Sequence, residues 1–339
     1  MKTINTDIII IGAGPSGLFT VFEAGFLGYN CVVVDSLPEI GGQLSALYPE
    51  KPIYDIPGYP EILAGELVEK LKEQAAPFNP QYLMNNPVTA LEDNGEDGFK
   101  ITTPEAEITA KVVILAGGLG VFTPRKPPLE NLETFEEKSV FYAVRGKDKF
   151  ADKTLVIAGG GDSAVDWAVE LAKTAKHIHV VHRRNDFRAH EETVRQMHEL
   201  ADAGKITLHT PCQLGGVDGQ NGELSRVIIK DLNKEETTID ADCLLCFFGI
   251  APTLGPIAEW GIGVDKKKVA VDAATMQTSR KGILGVGDIV EYPGKLGLIL
   301  TGFAEAAIAA KTAQSVINPE KKYRLVYSTS VGSPGTKAS

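Results

Sequence analysis

Cysteine is scarce in this chain, with four in 339 residues, at positions 31, 212, 243 and 246. Four scattered cysteines make no disulfide framework, and a reduced, cytoplasmic chain is the expectation. Cationic charge is short as well: 34 Lys and Arg against 44 Asp and Glu leave a net charge of −10. That balance argues against a nucleic-acid-binding surface. An acidic protein partner would need a local basic patch, for which Lys51, Lys70, Lys72, Arg125 and Lys126 are the candidates. No apolar run approaches the roughly 20 residues that span a bilayer, so no membrane association is expected. The opening MKTINTDIIIIGAG carries an apolar run, but Asp7 precedes it and a glycine turn ends it. No small-residue cleavage site follows, so the run reads as a strand rather than a signal peptide.

Glycine, by contrast, is plentiful at 35 residues, as in α/β proteins with many tight strand-to-helix turns. The length exceeds one average domain and suits two, each with its own core.

Two segments carry the chemistry. In the first, the buried-strand run Ile8 to Ile11 is followed by GAGPSG (residues 12 to 17), a helix through Leu18 to Phe26, and a strand Cys31 to Val34 ending at Asp35. In this G-x-G-x-x-G pattern Gly12 allows the tight turn and Gly14 lets a pyrophosphate approach the backbone. Gly17 permits close helix packing, while the helix N-terminus faces the phosphates. Asp35, 18 residues past Gly17, stands where a carboxylate holds both ribose hydroxyls.

In the second segment the strand Leu155 to Ala158 leads into GGGDSA (Gly159, Gly160, Gly161, Asp162, Ser163, Ala164), and a helix from Val165 to Lys173 follows. The next strand, Ile178 to Val181, ends in His182-Arg183-Arg184 instead of an acid. A carboxylate there would repel a 2′-phosphate, whereas guanidiniums bind it through forked, charge-assisted hydrogen bonds. This segment therefore reads as NADP-preferring, with Arg188 a third contact, and the first fits another dinucleotide. Near the C-terminus the stretch Gly282 to Asp288 reads as a short strand ending in Gly-Asp, followed by a small-residue helix from Thr301 to about Val316. The Asp can accept hydrogen bonds from ribitol hydroxyls, and the helix N-terminus can stabilise negative charge on a flavin ring.

The order GAGPSG, GGQ (41 to 43), GGGDSA, HRRNDFRA (182 to 189) and GVGD (285 to 288) resembles the thioredoxin-reductase-like flavoproteins over essentially the whole chain. The resemblance implies an α/β fold of two Rossmann-like, three-layer ββα nucleotide-binding domains, the second inserted into the first. FAD would occupy residues 1–118 and 250–339, with a C-terminal extension from about 318, and NADPH residues 119–249. The thioredoxin reductases carry a redox C-x-x-C just upstream of the second glycine turn. Here that region, Ser139 to Gly146, holds no cysteine.

Two further stretches, GGQLSALYPEK (41 to 51) and LVYSTS (325 to 330), resemble the ferredoxin (flavodoxin)–NADP reductases of thioredoxin-reductase type. That narrower resemblance implies a Tyr48 ring on one flavin face and Tyr327, from a partner subunit's tail, over the other. The FAD contacts it implies are Gly12, Gly14, Ser16, Gly17, Asp35, Gln43, Tyr48, Val88, Phe122, Asp288 and Thr329. It further implies a homodimer and ferredoxin or flavodoxin as the electron carrier. NADPH would pass a hydride to flavin N5, and single electrons would leave by the exposed ring edge. No side chain is expected as an acid or base. His190, Glu191 and Glu192 read as a solvated helix face. A tail over the nicotinamide's side of the ring would have to shift during turnover.

The rival readings are an NADPH-dependent disulfide or quinone reductase and a non-catalytic flavin-based NADP(H) sensor. One C-x-x-C does occur, Cys243-Leu244-Leu245-Cys246. In a strand its Cα atoms stand about 10 Å apart, against the roughly 7 Å limit for a disulfide. The pair therefore reads as two buried small hydrophobes.

Overall fold

The computed structural model describes residues 1–120, 123–251 and 253–321; Phe122, Tyr327 and Thr329 lie outside them. The chain divides into two compact units, Met1–Phe122 with Pro252–Ser339, and Thr123–Ala251. The divisions thus fall at 122/123 and 251/252, a few residues beyond the expected 118/119 and 249/250. A short antiparallel pairing of Thr123–Pro124 with Ile250–Ala251 stands at the second unit's two chain ends.

The first unit begins its main sheet with β1 (Ile8–Ile11), α1 (Pro15–Phe26) and β2 (Cys31–Val34). The short α2 (Gln43–Leu47), α3 (Ala64–Ala75), β3 (Gln81–Leu83) and β4 (Val112–Leu115) follow. Helix α1 starts three residues earlier than the sequence suggests. Gly14 is the N-cap and Pro15 opens the helix, where a fixed φ and a missing N–H cost nothing.

Strand faces divide the unit into three layers. Ile9, Ile11, Val32, Val34, Val113 and Leu115 point to one side, where they pack on Phe99, Ile101 and Ile108 of a second, four-stranded sheet. Ile8, Ile10, Val33, Val112 and Ile114 point the other way, onto the helices. Alternation with both faces covered is what continuous β-branched runs in a parallel sheet produce. Each fully buried Ile stabilises the unit by about 2–3 kcal/mol.

The second unit repeats the plan with β5 (Thr154–Gly159), α4 (Asp162–Leu171), β6 (His177–Val181), α5 (Glu191–Asp202), β7 (Ile206–His209) and β8 (Cys243–Phe247). Its parallel sheet runs in the order Val140–Phe141, β8, β5, β6, β7. A three-stranded antiparallel sheet covers one face through Val227, Ile229 and Ile239. Helix α4 begins at Asp162, three residues before the expected start, with Gly161 as N-cap. Asp162, Ser163 and Ala164 therefore form its first turn.

The chain returns to the first unit with β9 (Ile283–Gly285) and α6 (Ile299–Ile317). Strand β9 joins the edge of the main sheet in parallel with β4, giving the order β9, β4, β1, β2, β3. This return brings residues some 270 positions from the first glycine turn to the same end of the sheet. No helix among the described residues is long and apolar enough to cross a membrane.

Candidate functional site

Where β1, β2, β4 and β9 end, the first unit opens into a cavity of about 510 Å³, within the usual range for ligand pockets. Of the residues singled out in the sequence, Gly12, Gly14, Ser16, Asp35, Gln43, Tyr48, Val88 and Asp288 line it. Gly17 does not; it serves packing, since a Cβ there would meet the Gly12 carbonyl oxygen at 2.0 Å. Lining residues that the motifs did not reveal include Asn86, Gly118, Gly297 and Leu298. They come from loops whose only common feature is their place at the sheet's end.

The glycines divide by job. Gly12 has φ +116°, and a Cβ would strike the Ala116 carbonyl oxygen at 2.3 Å, so the turn itself requires glycine. Gly14 has an ordinary φ of −74°, and its nearest neighbour to an added Cβ is 4.0 Å away. Nothing in the protein demands glycine there. The missing side chain leaves cavity space in front of α1, whose first turn carries no acidic residue and no side-chain cap. A helix N-terminus with open N–H groups suits an anion.

Asp35 is aimed by its own backbone surroundings. One carboxylate oxygen accepts the Ala13 N–H (2.6 Å) and the other the Leu37 N–H (2.9 Å). Burial pushes this carboxyl up, and the bonds from Ala13, Leu37 and Ser36 pull it back down. Each oxygen keeps a lone pair, enough to accept from a vicinal diol. Tyr48 follows α2 directly and packs beside Leu18, Leu44 and Ile62. Burial, then the charge of Asp288, pushes its phenol up to about 12, so it stays protonated. Gln43 approaches the Gly118 turn, its amide nitrogen 3.4 Å from the position of an added Cβ. Val88 packs on the inter-sheet core.

In the second unit the expected residues gather at the start of α4. A Cβ on Gly160 would lie 2.2–2.4 Å from three atoms of the His182 ring, so the glycine makes room for the imidazole. The Arg188 N–H donates to the Gly160 carbonyl (2.7 Å), and the His190 N–H donates to Asp162 (3.0 Å). These bonds fold the 182–190 loop back onto the glycine turn. Arg183, Arg184 and Arg188 are exposed. Among the described residues none of the three forms an ion pair with a carboxylate. His182 Nε2 is buried without a hydrogen-bond partner. Burial and then the three guanidiniums hold this imidazole below its usual range, against an opposing bond with the Asp186 backbone. An uncompensated cationic cluster at a helix N-terminus suits a phosphomonoester.

Two other expectations receive a structural answer. Cys243 and Cys246 are free and buried in β8, opposite Leu155 and Ala158 respectively. Burial raises all four thiols, with Cys31 and Cys246 reaching about 12, so none is a ready thiolate. Three of the five basic-patch candidates stand beside carboxylates. Lys70 pairs with Glu73, Lys72 with Glu69 and Lys126 with Glu136, because carboxylates three residues away on a helix, or across a turn, neutralise them. His190, Glu191 and Glu192 are exposed at the start of α5, with Glu192 paired to Arg195.

Two glycine-turn units of this kind define a class, and the family model for pyridine nucleotide-disulphide oxidoreductases matches residues 6–313. The chain belongs to that family. Within it, the chain is 51% identical to a ferredoxin–NADP reductase of Ehrlichia chaffeensis over 97% of its length and 98% of the relative's. It is 50% identical to one from Rhodospirillum rubrum, over 99% and 98%. It therefore groups with the ferredoxin–NADP reductases. Among solved structures it is similar to the thioredoxin reductase of Lactococcus lactis, at a TM-score of 0.78 and 25% identity. That likeness covers 92% of this chain and 99% of the other.

Proposed function

We propose that this chain is an FAD-dependent reductase that passes electrons between NADP(H) and ferredoxin. The reading is carried by one contrast. The chain is half identical, end to end, to ferredoxin–NADP reductases, and it lacks a reactive thiol in the segment where disulfide-reducing relatives keep theirs. In that segment Ser139 is buried, its hydroxyl donating to the Gly222 carbonyl (2.8 Å) and accepting the Leu224 N–H (3.0 Å).

The first unit's cavity fits FAD. Asp35 would take the ribose hydroxyls, Gly14 and the α1 N-terminus the pyrophosphate, Asp288 the ribitol, and Tyr48 one face of the ring. Bound there, FAD supplies hydride acceptance at N5 and release of single electrons, and the protein supplies position and exclusion of water. The second unit's Gly160 and Gly161 would face the NADP pyrophosphate, with Asp162, Ser163 and Ala164 in the first turn of α4 beside it. Arg183, Arg184 and Arg188 would hold the 2′-phosphate, and His182 would shape the pocket floor. Phe122, Tyr327 and Thr329 belong to the same proposal on sequence resemblance alone, as does a homodimer.

The experiment is a comparison of acceptors. NADPH should bleach the flavin and then support catalytic reduction of ferredoxin or flavodoxin, but not of thioredoxin or a thiol reagent. Turnover with a disulfide that matches or exceeds turnover with ferredoxin would refute the assignment.

A further inference from the structure

Behind the cavity the first unit buries a polar cluster that the motifs do not announce. Glu305, in α6, is 2% exposed. Its Oε2 accepts the backbone N–H of Gly287 (2.7 Å). Its Oε1 accepts the Tyr292 hydroxyl (2.6 Å) and the Lys295 ammonium (2.5 Å). The Lys295 side chain is 3% exposed, which makes this the most deeply buried ion pair among the described residues. Burial, then the bond to Glu305, holds the Tyr292 phenol well above its usual range, so it is a permanent donor. Burying two charges in this way is costly unless every lone pair is used, and here one carboxylate ties together three chain segments.

Those segments are cavity walls. Gly287 precedes Asp288 in a single-turn helix, Gly287–Ile289. Lys295 sits in the loop that runs on to Gly297 and Leu298, and α6 follows. Asp288, Gly297, Leu298 and Ile299 all line the cavity. A Cβ on Gly287 or Gly302 would meet Ser16 Oγ at 2.9 or 2.2 Å, so α1 and α6 close on the same turn.

We propose that Glu305, Lys295 and Tyr292 are positioning residues that act as a charge-compensated clamp. They hold Asp288 and the N-terminus of α6 at the ring end of the flavin site, and their opposite charges cancel there. The potential of the bound flavin then answers to the helix end rather than to a lone buried charge. The proposal rests on the reading of this cavity as the FAD site.

The test uses the holoprotein and the variants E305Q, K295M, Y292F and K295M/E305Q, with flavin midpoint potential and flavin dissociation constant as readouts. E305Q leaves an unpaired cation that favours the added electrons and raises the potential. K295M leaves an unpaired anion and lowers it. Each single variant should shift the reduced-to-oxidised ratio by up to roughly tenfold, the scale of a unit-charge interaction at an effective dielectric of about 20. The double variant returns to near the wild-type potential. Y292F keeps both charges and the potential but loosens flavin binding several-fold. A loss of packing alone would not move the two single variants in opposite directions. Shifts of the same sign, or none in either, overturn the proposal. If a single variant fails to fold, flavin affinity decides: wild-type affinity in both Y292F and the double variant also overturns it. A wild-type protein without flavin refutes instead the functional reading beneath.

Discussion

Replacing Cys243 and Cys246 together by alanine separates a disulfide reductase from a flavin-to-carrier reductase. Both thiols sit in β8, an interior strand of the second unit's parallel sheet, 1% and 2% exposed. Each change removes one buried heavy atom, and comparable single-methyl deletions cost about 0.5–1.5 kcal/mol. Residues three apart in a strand face opposite sides about 10 Å apart, so the two costs should add. The expected loss is about 1–3 kcal/mol in chemical denaturation of the second unit. Turnover should not follow it. With its thiol pushed by burial up to about 12, Cys246 stays protonated at neutral pH and is no working nucleophile. NADPH-dependent ferredoxin reduction should stay within about twofold of wild type. A loss beyond about tenfold at unchanged flavin content would refute this reasoning. So would mass-spectrometric detection of a Cys243–Cys246 bond that NADPH reduces.

Further outcomes follow from the structure. Gly12→Ala forces a Cβ onto the Ala116 carbonyl and should cost more than about 2 kcal/mol of stability. Gly14→Ala should leave the melting temperature of the apoprotein unchanged while weakening flavin binding at least several-fold, and flavin titration of both variants checks the contrast. Arg183→Ala with Arg184→Ala removes the two guanidiniums proposed to hold the 2′-phosphate and should raise KM for NADPH by about 10- to 100-fold. KM for NADH should stay within about twofold, as steady-state kinetics will show. Acid stability should depend on the half-buried pair His179 and His209, whose rings are joined at 3.0 Å. Burial, then His177 and His209, lowers His179 to about 4. The unfolded chain takes up this proton first, so stability is full above about pH 6.5 and falls as pH drops toward 4. Discounted for partial exposure, the loss is about 1–2 kcal/mol, and His179→Gln should flatten that part of a pH series of urea midpoints.

Some of this architecture was legible residue by residue. The two strand–glycine–helix units needed only local backbone rules. So did the contrast between Asp35 and His182-Arg183-Arg184 at corresponding strand ends. Helices α1 and α4 begin three residues ahead of their apolar patterns, because the start follows the backbone angles of the glycine turn, which the apolar pattern does not reveal. Glu305 was invisible: in the sequence it reads as one acid in the alanine-rich GFAEAAIAA. Its role appears only when α6 folds back onto Gly287. Lys70, Lys72 and Lys126 stood out as cations, and only their folded neighbours revealed the paired carboxylates.

The sequence by itself determined that the chain has two strand–glycine–helix turns, an acid at the strand end after one and His182-Arg183-Arg184 after the other, and no cysteine from Ser139 to Gly146. These properties depend on residue type and on neighbours a few positions apart. Only the tertiary structure decided that Asp35, Tyr48 and Asp288 share one cavity, that the Cys243 and Cys246 thiols are sealed in a sheet, and that a buried ion pair stands behind the cavity wall. Those facts turn on strand order, above all on β9 joining β4 after a 167-residue excursion from Leu115 to Ile283. No local pattern encodes which distant strand will supply the final edge.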